Sequence, residues 1–163
     1  MKKILIVAVM MLGFTFAAFA QPRSLGGRFG YCAEVSYQHS VGRNFLEIDG
    51  GVGLDPFIRA LDLGVTGVYN FMIAKPQWTD HGEWGFYGGP GVGLGLESYE
   101  KGGNFPKNFF TASAVGMIGL EYTFQFPLQL SFDFRQHLGL RFRGHMIGPV
   151  YPLYVAVSAR YRF

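Results

Sequence analysis

The ionisable side chains of this 163-residue chain recur at alternate positions within otherwise apolar stretches. Glu47 and Asp49, Glu121, Asp133, and Arg160 with Arg162 all fall on the polar parity of four different stretches. An isolated charge is very costly to bury, so such a set is expected to pair. Arginine suits the task, because its donors form a fixed fork. Arg160 and Arg162 are expected to bridge Asp133 or Glu121 on one side and Glu47 or Asp49 on the other. A network of this kind either plugs an interior or, by exchanging partners, gates a narrow ion path. Signals for catalysis are weaker. The histidines are His39, His81, His137 and His145. His39, beside Ser40, sits on an apolar parity, and none of the four is joined to a serine and a carboxylate by spacing, since a triad is defined by geometry. The glycines of GGPGVGLG (88–95) resemble a phosphate cradle only in number. They repeat at period two and no helical pattern follows. Cys32 is alone, which excludes an internal disulfide, and no Cys/His cluster has zinc-ligand spacing. No catalytic, metal or cofactor residue is assigned.

The elements that would carry these residues are strands. Strict alternation places one face in an apolar medium and the other among polar or small groups. It runs through Tyr31–Gln38, Leu46–Leu54, Leu61–Ile73, Trp84–Leu96, Phe110–Phe124, Leu128–Phe134 and Leu153–Phe163. An eighth candidate is HLGLRFRG (137–144), with the poorly patterned 21–30 as its competitor. Single-chain bacterial barrels have even strand counts with eight the smallest, so eight strands are expected. Pro90, flanked by Gly89 and Gly91, predicts a bulge or bend where its missing N–H interrupts a ladder. Asp55-Pro56 before FIRAL is the one hint of a helical turn.

Composition sets the medium. Aromatic residues make up 17% of the chain and charged residues only 15%, against about 25% in soluble domains. The first 20 residues read as a secretory signal peptide, with Lys2 and Lys3 before an apolar run and Ala18-Phe19-Ala20 at the cleavage site. Residues 21–163 then form a single domain. The net charge of +3 includes the two leader lysines, and no basic run supports nucleic-acid binding. No later segment has 18 continuous apolar residues, so a spanning helix is not expected. A closed barrel in lipid, or a soluble lipocalin-like barrel, accounts for the pattern. The polar face carries Gly, Ser and Thr with few charges, as a narrow lumen would, and aromatics gather toward strand ends like interfacial girdles.

The runs GGRFGYCAEVSYQHSV, EWGFYGGPGVGLG, GMIGLEYTFQFPLQLSFDFR and SARYRF resemble the small outer-membrane β-barrel proteins of diderm bacteria, the outer membrane protein beta-barrel domain group. The resemblance implies an all-β, single antiparallel up-and-down transmembrane barrel of about eight strands, located in the outer membrane. It implies a structural, surface-interaction or adhesion role without common catalytic residues. The implied partners are outer-membrane lipid and lipopolysaccharide, together with the insertion machinery and periplasmic chaperones during assembly. The protein would be a monomer that binds no nucleic acid and no cofactor. The family's terminal aromatic signal for membrane assembly would correspond to Tyr161 and Phe163. Alternatives of another class are a narrow ion or small-solute channel and a lipid-modifying outer-membrane enzyme.

Overall fold

The computed structural model describes residues 22–55, 60–99, 107–143, 146–150 and 152–163. The expected leader, Pro56–Arg59 with its helical hint, and His145 lie outside them. The strands are β1 (Pro22–Gly30), β2 (Cys32–Val41), β3 (Asn44–Asp55), β4 (Ala60–Ala74), β5 (Glu83–Tyr99), β6 (Lys107–Thr123), β7 (Leu128–Phe142), β8 (Met146–Val150) and β9 (Leu153–Arg162). Every sequential pair from β1 to β7 is antiparallel, β7 pairs with β9, and β9 pairs with β1. The ring is therefore closed and up-and-down, with eight staves. The short β8 faces the last residues of β7 and so continues the β9 stave upward past Pro152.

This settles the eighth strand. HLGLRFRG is not a separate element but the far half of β7, and the eighth stave is β1. Both misleading signals have a physical cause. In β7 the parity never breaks, but Arg135-Gln136-His137 looks like a turn because Gln136 interrupts the apolar face. The Gln136 amide is satisfied locally: its Nε2 donates to the carbonyls of His137 (3.0 Å) and Pro152 (3.2 Å). In β1 the pattern is blurred by glycines at the closing seam. A Cβ on Gly26 would collide with the Ala159 carbonyl, and one on Gly30 with that of Val155, so β9 lies too close for side chains there.

The faces divide as parity requires. Leu25, Val35, Val65, Val92 and Leu130 point outward into the surroundings, with Val92 67% exposed. Ser36, Glu47, Asp49, Asp133, Arg135 and Arg160 point inward and are buried. Aromatic contacts cluster at the outer rims. At the end holding residues 22 and 163, Trp78, Trp84, Tyr122, Phe124 and Phe126 form a continuous ladder with ring centroids 4.6–5.4 Å apart. At the other end Phe110 meets Phe142 at 6.4 Å.

The bulge expected at Pro90 is absent. Val68↔Gly91 and Phe71↔Gly88 keep one register, but the ladder is interrupted between them at Pro90, as its missing N–H requires, and Pro90 lies opposite Gly116 of β6. The register shift in this ladder falls instead between Met72 and Ala74, and a second lies between Pro22 and Ser24. Proline is accommodated by a glycine-lined stretch, because a Cβ on Gly89 would strike the Tyr69 carbonyl.

Candidate functional site

The lumen of eight staves is only wide enough for side chains to fill, and here it is divided lengthwise into two unlike walls. One wall, built by β1, β2, β3, β7 and β9, is ionic. Arg160 Nη2 lies 3.1 Å from Glu47 Oε1, while its Nε donates to Ser36 Oγ and its Nη1 to Ser131 Oγ, both at 2.8 Å. Arg135 reaches three carboxylates: Asp49 by a short contact, Glu47 at 3.3 Å and Glu34 at 3.7 Å. Arg28 holds Asp133 at 2.6 Å and pairs closely with Glu34. Gln38 Nε2 donates to Glu47 (2.7 Å), and Gln38 Oε1 accepts from Ser24 Oγ (2.9 Å). The charges are consequently shared, with Glu34 and Glu47 each bridging two arginines.

The opposite wall is mostly apolar, with Thr66 and Asn70 of β4 buried in it. Phe45, Val68, Met72, Tyr87, Val115 and Met117 form a buried cluster inside the barrel, with Tyr87 edge-on to Phe45 at 5.1 Å. The two walls touch where Arg135 Nη2 approaches Met117 Sδ at 3.7 Å. Residues of both walls are fully buried, so the middle of the lumen is filled from side to side.

Each residue expected from sequence can now be placed. Glu47, Asp49, Asp133 and Arg160 lie in the ionic wall. Glu121 is buried lower, where Arg23 pairs with it and Gln129 Nε2 donates to it at 2.6 Å. Arg162 does not join the network. It is exposed at the mouth, and among the described residues no carboxylate pairs with it. The bridging pattern also differs from expectation: Asp133, Glu121 and Asp49 are held by Arg28, Arg23 and Arg135, not by Arg160 or Arg162. Those three arginines, and Glu34, were not singled out by the sequence. Arg28 and Arg23 lie in the glycine-blurred β1 and Arg135 in the apparent turn, so no parity was assigned to them. Tyr161 and Phe163 stack edge-on at 5.3 Å on the outer surface.

Among the histidines, His39 faces outward and meets Tyr37 Oη at 3.2 Å, and His81 lies in the 75–82 loop. His137 points into the lumen, where its Nδ1 is 3.0 Å from Ser113 Oγ. Gly93 makes room for this pair, since a Cβ there would sit 2.8 Å from the serine oxygen. Among the described residues no carboxylate pairs with His137, so the orienting member of a triad is missing. The described residues also hold no group of three or more metal-ligating side chains.

Polar interior, apolar exterior and eight closed antiparallel staves define the fold as a closed eight-stranded up-and-down β-barrel. Among solved structures the chain is similar to Neisserial surface protein A, with a TM-score of 0.62 and 12% identity over 87% of this chain and 94% of that one. It is equally similar to the N-terminal β-barrel domain of Pseudomonas aeruginosa OprF, with a TM-score of 0.61 and 11% identity over 88% and 100% of the two chains. At these identities the likeness is one of fold. No family model matches the sequence, and no curated protein matches it.

Proposed function

We propose that the protein is an integral outer-membrane barrel with a closed lumen, acting as a structural and surface-interaction element rather than as an enzyme or open channel. The carrying observation is the inversion of its faces. Residues as apolar as Val35 (65% exposed) and Val92 cover the outside while Glu47, Asp49 and Asp133 are fully buried inside. A water-soluble barrel has the opposite arrangement, whereas a barrel in lipid must have this one. The likeness to a Neisserial surface protein and to the OprF barrel agrees with this reading.

Surface interaction is supported by strand length. A tilted crossing takes about 10 residues, yet β5 and β6 have 17 each. Their hairpin rises past the membrane at the end opposite residues 22 and 163. With its longest paired strands placed outward, that hairpin faces lipopolysaccharide and partners beyond it. The Gly42-Arg43 turn is the shortest at the terminal end, and Gly42 there adopts a φ of +63°. Assembly would use the insertion machinery and periplasmic chaperones, with Tyr161 and Phe163 as the recognised end, and the product would be a monomer.

The test is a heat-modifiability gel on fractionated envelopes, paired with planar-bilayer recording. The expected result is an outer-membrane band that shifts on boiling, with no stepwise conductance. Recovery from the soluble periplasm would overturn the membrane reading. Conductance that changes in Arg160→Ala would overturn the closed lumen and favour a gate.

A further inference from the structure

The bowl at the terminal mouth of the barrel has no part in the closed lumen above it. It is an open cavity of about 520 Å³, the size range of ligand sites. Its lining includes four cations, Arg23, Arg43, Lys75 and Arg162, against the terminal carboxylate of Phe163 and two side-chain carboxylates, Glu83 and Glu121. Those two side-chain carboxylates are already engaged, Glu121 by Arg23 and Glu83 by Lys75 at 3.3 Å. Among the described residues neither Arg43 nor Arg162 has a carboxylate partner; Arg43 Nη2 reaches only the Met72 carbonyl, at 3.4 Å.

The floor is constructed differently from the rim. The irregularity between Pro22 and Ser24 turns Arg23 into the mouth, the usual work of a bulge. There its guanidinium lies 4.1 Å above the Phe45 ring, and one nitrogen pairs with Glu121. The other terminal nitrogen, Nη1, is buried and has no acceptor among the described residues. A buried donor without an acceptor is costly to a fold, and a charged one is best satisfied by an anionic acceptor. Ser40, Asn44 and Thr123 add neutral polar groups around the same cavity.

We infer that this bowl is a binding site for a small multivalent anion of the phosphoryl class, clasped by the exposed Arg43 and Arg162 in the positive field that Arg23 adds from the floor. The phosphoryl group can come from a soluble phosphoanion or from the headgroup of an anionic phospholipid at the adjacent membrane surface. Arg162 thereby acquires a role that the lumen network does not give it. The inference depends on the charges and shape of the mouth, and holds whichever compartment that mouth faces.

The experiment uses the whole protein folded in a maltoside detergent, which carries neither charge nor phosphate, titrated calorimetrically with inorganic pyrophosphate at low salt. Saturable binding is expected, weakened about tenfold or more in the Arg43→Gln/Arg162→Gln double variant, because each loses a charge-assisted contact. Both positions are exposed, and unchanged heat-modifiable migration would verify that the variant folds. Arg141→Gln, a cation paired with Glu97 at the other end, serves as the control and should bind as wild type. A second arm compares binding to vesicles of phosphatidylcholine with and without phosphatidylglycerol. Pyrophosphate binding assigns a soluble ligand, and arginine-dependent preference for phosphatidylglycerol without pyrophosphate binding assigns the headgroup. Absence of both, or binding that the double variant retains, overturns the site.

Discussion

At the scale of single residues, Arg135 is the side chain on which most of the interior charge converges. It faces Glu34, Glu47 and Asp49, and it is 1% exposed. Truncating one partner of a buried network leaves the others uncompensated, which typically costs about 3–5 kcal/mol. Arg135→Ala should therefore lower the unfolding free energy in lipid vesicles by that amount. Adding Asp49→Asn should restore part of it, because a neutral amide no longer needs the cation. Strict additivity of the two changes in urea titrations would mean that the short contact contributes nothing. Parity gives a second comparison. Leu130 is outward and lies opposite Tyr122 near the rim, so Leu130→Arg should cost about 1 kcal/mol, less than the ~2–4 kcal/mol of a charge at the bilayer midplane. Its neighbour Ser131 is inward and 4% exposed, and it accepts a hydrogen bond from Arg160. Ser131→Ala should cost about 1.5–3 kcal/mol, the value of a hydrogen bond to a charged group. Full tolerance of Leu130→Arg together with a cost-free Ser131→Ala would mean the faces are reversed.

At the scale of strands, the parity of seven runs was legible because a β-pleat sends successive side chains to opposite faces except at a bulge. Glu47, Asp49, Glu121, Asp133 and Arg160 could be assigned to the interior on that ground alone. What parity cannot supply is which strands meet across the lumen. Arg28 of β1 touches Asp133 of β7, 105 residues away, and nothing in the local pattern encodes that distance. Parity was also silent in β1, where close strand approach demands glycine and erases the apolar signal. That crowding is testable. Gly26→Ala places a methyl against the Ala159 carbonyl, whereas Gly67→Ala and Gly116→Ala meet nothing within 4 Å. The first should reduce the fraction of heat-modifiable barrel, and the other two should leave it unchanged. Equal yields from all three would show that the seam between β1 and β9 can open to accept a side chain.

At the scale of the whole molecule, the lumen is closed by two different means. Ion pairs fill one wall and an apolar cluster fills the other, so loosening either one alone leaves the remaining wall in place. Removal of Arg160 should destabilise the barrel without opening a water path past Tyr87 and Phe45. The outer surface poses the complementary question of delivery to the membrane. Tyr161 and Phe163 lie on the outer face of the last stave, 56% and 66% exposed. If they form the assembly signal, Phe163→Ser should lower outer-membrane yield in cells while refolding into vesicles in vitro remains efficient. Loss in both settings would assign the ring a structural role instead.

The seam has a temporal consequence as well. Ser24 pairs with Arg162, and the Phe163 N–H donates to the Arg23 carbonyl at 3.3 Å, so the first and last described residues are neighbours in space. Closing that pair means closing a loop almost as long as the chain, and contacts of such high sequence separation make folding slow. The ring cannot be completed while its last stave is still being delivered, and until then β1 and β9 each present an unpaired edge that invites aggregation. Adjacent ends also mean that the ring itself has no privileged starting strand. A circular permutant with residues 163 and 22 joined by a short linker and new ends in the exposed 75–82 loop should form the same barrel in vesicles, with the same shift on boiling. Failure of the permutant to close would show that the order in which the staves arrive, and not only their pairing, is part of how this fold is reached.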